Sequence, residues 1–153
     1  MSVSPDSAVE VVLGITFDCV DAPTLAAFSA LALGYVEAPP PEGWATWEAF
    51  LTDQQVPQEE WDEGAKIQPA SGTGPTISFL KVPEPKVAKN RVHLDVKVSG
   101  GRHVEPSLRT ARIRAKANEL IAAGATVQRE DHVNGSLDHL VTSDPEGNEF
   151  CIV

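Results

Sequence analysis

The sequence predicts an α+β protein in which one βαβββ unit occurs twice and the two sheets curl into a cup. Two observations predict it. Strand-like and helix-like segments follow one another in the same order in both halves of the 153 residues. Each helix-like segment also ends in a glycine, in LALGYVE and in IAAGATV, and glycine is common just beyond a helix C-terminus. We expect a single domain, 1–153, built from modules 9–82 and 91–153.

The first module begins with a strand and a helix. Asp21 is a suitable helix N-cap, and Gly34 ends the helix. The apolar face of that helix is predicted to include Leu25, Phe28 and Ala32. Strands are expected at 9–19, 35–37 and 76–82.

An insertion, 42–66, interrupts the first module and carries all three tryptophans. Trp44, Trp47 and Leu51 fit one face of a short helix, and 58–64 fits a further helical turn. The tryptophans have two interpretations: they form the apolar underside of a helix packed on the sheet, or one of them lines the cup and stacks on a flat ligand. The acidic residues around them form either a solvated face or a filter that repels anions.

The second module repeats the plan without the insertion. A helix is predicted over 104–123, with Gly124 after it. Its apolar stripe is predicted to consist of Leu108, Ile113, Ala117, Leu120 and Ile121. Strands are expected at 91–98, 125–130, 137–142 and 149–153.

The formal net charge is −10, with −11 in residues 1–76 and +1 in residues 77–153. Such an acidic chain is a poor match for nucleic acid or for an anionic membrane surface. No apolar run is long enough to span a bilayer, and Met1 to Ser7 has no secretory pattern. We therefore expect a cytoplasmic protein in which Cys19 and Cys151 are free, buried thiols.

Three motifs together resemble the vicinal-oxygen-chelate superfamily, which includes glyoxalase I, bleomycin-resistance proteins, fosfomycin-resistance enzymes and extradiol dioxygenases. DAPTLAAFSALALGY is similar to its first helix, KNRVHLD to the start of its second module, and DPEGNEFCIV to its terminal hairpin. The run GPTISFLKVPEPKVAKNRVHLDV is similar to a glyoxalase-like subgroup common in actinobacteria. The resemblance covers residues 10–153 and implies a homodimer.

The resemblance also implies where a metal would bind. Metal-using members take ligands from the first and last strands of each module. Here those positions match Gly14, His93, Cys151 and the segment 76–80, which offers only Thr76 and Ser78. Glycine has no ligand atom, so we expect the usual metal site to be missing.

A rearranged site is the alternative, because residues two apart on a strand share a face. The residues expected to line the cup are Thr16, Asp18, Ser78, His93, Asp95, Glu149 and Cys151, together with Trp44 and Trp47. His93, Asp18 and Glu149 would give one imidazole and two carboxylates, similar in kind to a facial triad for a divalent metal. If no metal binds, His93 is expected to be a hydrogen-bonded histidine of the cavity or the core.

Three functions follow, and none assigns a catalytic residue. The first is a bleomycin-resistance-like protein that binds a small molecule, cationic or neutral, in the cup without the usual metal. The alternative is a metal-dependent lyase, isomerase or dioxygenase that acts on a substrate with vicinal oxygens. The third is an interaction module that uses the acidic, tryptophan-bearing insertion as a partner surface.

Overall fold

The computed structural model describes residues 10–153 and contains two mixed sheets of four strands each. In both sheets the first strand of the module pairs in parallel with the last, and the other pairs are antiparallel. The strand orders are β1-β4-β3-β2 and β5-β8-β7-β6. This equivalence confirms the predicted α+β fold made of two βαβββ units.

The first module consists of β1 (Gly14–Cys19), α1 (Ala22–Leu33), β2 (Tyr35–Glu37), α2 (Trp47–Asp53), β3 (Gly64–Pro69) and β4 (Thr76–Lys81). The ends of α1 are those that the sequence predicts. Asp21 accepts a hydrogen bond from the backbone N–H of Thr24 at 3.0 Å. Gly34 has φ +68°, a left-handed conformation that glycine adopts without steric cost.

The second module consists of β5 (Asp95–Val96), α3 (Pro106–Ala122), β6 (Thr126–Val133), β7 (Ser136–Ser143) and β8 (Glu149–Ile152). One face of its sheet packs on α3, where Ile113, Ala117 and Leu120 are buried. Leu108 and Ile121, predicted for the same stripe, are 45% and 47% exposed. The buried stripe is therefore narrower than the sequence pattern indicates.

Each module has its own apolar core, and α1 connects the two. Phe28 of α1 belongs to the core of the second module, where its ring meets the ring of Phe150 edge to face at 5.9 Å. Leu33 packs against both cores. Helix α1 therefore holds the modules together through buried apolar contacts.

Several predicted boundaries are wrong. The first strand starts at Gly14, while Val11, Val12 and Leu13 precede it and are exposed; residue 9 lies outside the described residues. No strand is predicted at 64–69, yet β3 forms there at the end of the predicted insertion, because β2 and β4 pair with it on both sides. The predicted strand 91–98 is shorter at both ends, since β5 contains only Asp95 and Val96, and the backbone hydrogen bond from Cys151 to Leu94 marks the start of the pairing.

The insertion contains α2 and a short 3₁₀ helix, Gln58–Glu60. Thr46 caps α2, so the helix starts at Trp47, and Trp44 lies before it rather than on its face. Both cysteines are free and buried, as predicted. Between residues 10 and 153, no helix is long and apolar enough to cross a membrane.

Candidate functional site

A cavity of about 430 Å³ lies between the two modules. Its walls come from β1, α1, the segment 90–94 and the N-terminal end of β8 with the turn before it. One wall is apolar and is formed by Ile15, Phe17, Phe28 and Leu33. The volume is in the range of small-molecule sites, which combine apolar walls with a few polar groups.

Three of the four ionisable side chains that line this inter-module cavity are acidic. Asp18 comes from β1, Glu149 from β8, and Asp144 from the turn that precedes β8. His93 comes from the connecting segment, residues 82–94, which joins β4 to β5. Lys89 forms an ion pair with Glu149, with 2.6 Å between Nζ and Oε2. The hydrogen bond from Lys89 lowers the pKa of Glu149.

Asp144 organises the turn at the cavity edge. Its carboxylate accepts from the side-chain amide of Asn148 at 2.8 Å and from the backbone N–H groups of Glu146 and Asn148 at 2.9 Å. Burial nevertheless raises the pKa of Asp144, because desolvation outweighs these hydrogen bonds. The sequence pattern DPEGN indicated only a turn.

The same turn provides a contact between the modules that sequence analysis missed. The carboxylate of Glu146 accepts from the backbone N–H of Val20, at 2.9 Å to its nearer oxygen, and from that of Asp21 at 2.9 Å. These donors directly precede α1, so the second module caps the start of the first helix of the first module. No sequence pattern points to this contact, because the partners are 125 and 126 residues apart.

A group of three possible metal ligands lies beside the inter-module cavity. One donor atom from each of His93, Asp95 and Cys151 lies within 4.8 Å of the other two. The Cys151 Sγ and His93 Nδ1 atoms are 3.7 Å apart. Asp95 and Cys151 are register partners in the parallel β5–β8 pair, which explains why their side chains meet.

The predicted cup residues are only partly brought together. Thr16, Asp18, His93 and Glu149 line the inter-module cavity. Asp95 and Cys151 join His93 in the three-residue group instead. Ser78 is in β4, opposite Thr16 of β1.

Trp44 and Trp47 do not line the inter-module cavity within the described residues. Both meet the ring of Phe50 edge to face, at 5.1 and 5.9 Å. The indole N–H of Trp47 also donates to the carbonyl of Ala38 at 2.8 Å. These contacts favour the packing interpretation of the two tryptophans over the stacking one.

The residues present do not fit the metal site that the resemblance implies. Gly14 pairs with Thr76 in the sheet, so the first module offers a hydroxyl there and no imidazole or carboxylate. Asp18 and Glu149, proposed above as partners of His93, are outside the group of three ligands found among residues 10–153. A site shared between the modules therefore lacks the three or four converging donors that it needs.

A second concavity of about 550 Å³ lies at the far end of the second sheet. Here Asp138 accepts from Arg102 at 3.3 Å and from Arg109 at 3.4 Å, and its other neighbour is His139 at 3.1 Å. The hydrogen bonds from His139 and Arg102 lower the pKa of Asp138. Gly100 shapes the loop, because a Cβ there would lie 2.8 Å from Nη1 of Arg112.

Solved structures with the same fold include three relatives of low sequence identity. A hypothetical protein from S. aureus has TM-score 0.56 and 16% identity, over 95% of this chain and 97% of that one. A glyoxalase/bleomycin resistance protein/dioxygenase family enzyme from Burkholderia phytofirmans has TM-score 0.56 and 15% identity, and the match covers 90% of this chain and 93% of that one. A fosfomycin resistance protein from Mesorhizobium loti has TM-score 0.58 and 10% identity, and the match covers 95% of this chain and 91% of that one.

These identities establish a common fold and nothing about substrates. Among curated protein sequences, none matches this chain significantly. The family model for the glyoxalase-like domain, however, matches residues 14–153, almost the whole chain. The match covers both modules and the strands that line the inter-module cavity. The chain therefore belongs to the glyoxalase-like domain family.

Proposed function

We propose that this protein binds a small molecule in the inter-module cavity and does so without the metal site usual for its superfamily. The observation that carries the proposal is the cavity itself, about 430 Å³ between the modules, lined by apolar side chains and by a few polar groups. Bleomycin-resistance proteins in the same superfamily supply the precedent for binding without catalysis.

The charges of the cavity indicate the class of ligand. Asp18, Asp144 and Glu149 contribute carboxyl groups, and Glu149 forms an ion pair with Lys89. Aromatic side chains, Phe17 and Phe28, also line the cavity. A ligand with an apolar, flat body and an amine or neutral polar end matches this arrangement, whereas an anion would meet the carboxylate of Asp18, which forms no ion pair with any residue between 10 and 153.

The test is a thermal-shift screen with two matched sets of compounds, aromatic amines and the corresponding aromatic carboxylates. We expect members of the amine set to raise the melting temperature, since a ligand that binds the native state stabilises it. Ser29 lines the cavity from α1, and Ala27 is exposed on the same helix. Ser29→Phe should fill the cavity and abolish the shift, while Ala27→Phe should retain it.

Two results would refute the proposal. One is that no compound of either set stabilises the wild-type protein. The other is that Ser29→Phe, shown to be folded by circular dichroism, binds as well as Ala27→Phe. A preference for the carboxylates would refute the ligand class but not the cavity. Asp18→Asn should weaken amine binding about tenfold, the loss of one charge-assisted contact.

A second candidate is a metal-dependent lyase, isomerase or dioxygenase that acts on vicinal oxygens. The observation in its favour is the group His93, Asp95 and Cys151 beside the cavity. Its test is turnover of 2-oxoaldehyde–thiol adducts, epoxides and catechols by protein loaded with Zn²⁺, Mn²⁺ or Fe²⁺. Turnover that depends on the added metal would establish this function, and none with any metal would eliminate it.

We also propose that the protein acts in the cytoplasm as a homodimer and belongs to the glyoxalase-like branch common in actinobacteria. The two free thiols support the location, and the resemblance of the sequence supports the dimer and the branch. The charge of −10 supports a small-molecule partner over nucleic acid or a membrane. Light scattering on the purified chain measures the oligomeric state directly.

A further inference from the structure

Three side chains of the second module form a donor set that differs from the superfamily's: His93 and Cys151 are at two of its ligand positions, whereas Asp95 is at none of them. Asp95 and Cys151 are side by side on β5 and β8, and His93 lies two residues before Asp95. The backbone N–H of Cys151 donates to the carbonyl of Leu94 at 2.8 Å and fixes this register. The imidazole, the carboxylate and the thiol therefore converge from neighbouring backbones.

The spacing is close to that around a tetrahedral metal ion. A Zn–S bond of about 2.3 Å and a Zn–N bond of about 2.05 Å at the tetrahedral angle place sulfur and nitrogen about 3.6 Å apart. The Cys151 Sγ and His93 Nδ1 atoms are 3.7 Å apart. The third donor, from Asp95, lies within 4.8 Å of both and approaches further by rotation of an exposed side chain.

The chemistry of the donors selects the ion. A thiolate favours zinc over magnesium or calcium, which prefer oxygen ligands only. Thiolate and carboxylate together carry two negative charges and would neutralise a divalent cation. Three protein ligands also leave a fourth position open. His93 borders the inter-module cavity and Asp95 the second concavity, so the group is accessible to an ion from solvent.

We propose that His93, Asp95 and Cys151 form a zinc site contained within the second module. It replaces the shared site of the superfamily, to which the first module contributes no ligand here because Gly14 occupies its first-strand position. This inference does not rest on small-molecule binding in the cavity, and either can fail without the other.

The test uses the whole chain, purified without a metal-affinity tag, stripped with a chelator and titrated with Co²⁺ in the absence of oxygen. We expect one Co²⁺ per chain, an intense near-ultraviolet band from thiolate-to-cobalt charge transfer, and displacement by an equimolar amount of Zn²⁺. The second buried thiol provides a matched control: Cys151→Ser should lose the band, and Cys19→Ser should retain it.

Two exposed positions keep the test decisive if Cys151→Ser fails to fold. Asp95→Asn should weaken Co²⁺ binding at least tenfold and leave the circular dichroism spectrum unchanged. Glu119→Gln should change the affinity less than twofold, because Glu119 is exposed on α3, pairs with Lys116 and is outside the donor group.

Three results would overturn the proposal. They are substoichiometric Co²⁺ binding, a charge-transfer band that survives in Cys151→Ser, and a loss of affinity in Glu119→Gln as large as in Asp95→Asn.

Discussion

The contact between Glu146 and the start of α1 predicts that this one carboxylate stabilises the arrangement of the two modules. Glu146→Ala removes the acceptor for two backbone N–H groups, those of Val20 and Asp21. Both donors directly precede α1, so the change also removes a negative charge from a helix N-terminus.

The magnitude follows from the number of bonds and their exposure. A hydrogen bond to a charged acceptor contributes about 1.5–3 kcal/mol when it is well buried. These two are at the surface, where the loss of a helix cap costs about 0.5–2 kcal/mol. We therefore expect Glu146→Ala to lower the free energy of unfolding by about 2 kcal/mol. Glu146→Gln keeps one acceptor oxygen and should cost about half as much.

Urea denaturation at neutral pH, followed by circular dichroism, measures this change. The slope of free energy against urea should remain that of the wild type, because the surface exposed on unfolding is the same. Glu84→Ala, an exposed glutamate in the connecting segment, is the matched control. A loss below about 0.5 kcal/mol in Glu146→Ala, the usual range for surface substitutions, would refute the role assigned to this contact.

Three further predictions concern the core, the thiols and pH. Leu140 is fully buried in the second core, so Leu140→Ala should lower the free energy of unfolding in urea by about 3 kcal/mol, and a loss under 1 kcal/mol would mean that the site is loosely packed. Burial raises the pKa of Cys19 to about 11 and also raises the pKa of Cys151. Neither thiol of the metal-free protein should therefore react with Ellman's reagent until the chain is unfolded. Rapid modification of the native protein would contradict this expectation. The folded pKa of Asp138 lies below its ordinary 3.8, so its stabilising effect is present above pH 3.8 and is lost as the pH falls through the folded pKa. Asp138→Asn should therefore flatten the decline of stability with acid relative to the wild type, and parallel pH profiles would count against the ion pairs described here.

The resemblance and the local sequence rules predicted the repeated architecture well. The cap at Asp21, the left-handed Gly34 and the buried face of α1 all follow from residues within one or two helical turns. By contrast, β3 contains glycine, lysine, glutamine and proline and only one β-branched residue, Ile67, and pairing with β2 and β4 makes it a strand. In β3, pairing with the neighbouring strands outweighs the low strand propensity of its residues.

The candidate site was predictable only in part. Sequence analysis placed Asp18, His93 and Glu149 around a cavity, and the structure brings them there. Alternation on RVHLDV suggested a long strand over 91–98, but β5 is an edge strand with one partner. Asn90, Val92 and His93 lie outside the strand and line the cavity, where the side chain of Asn90 donates to the carbonyl of Val92.

The sequence by itself determined which residues share a strand face or a helix stripe, because those relations depend on the local repeat of the backbone. It determined in this way the order of elements in the two modules, the buried face of α1 and the central part of the α3 stripe. Only the tertiary structure decided that the parallel β5–β8 register sets Cys151 beside Asp95, and that Glu146 reaches α1 across 125 residues. Register and long-range contacts depend on how separate segments pack, and no local pattern contains that information.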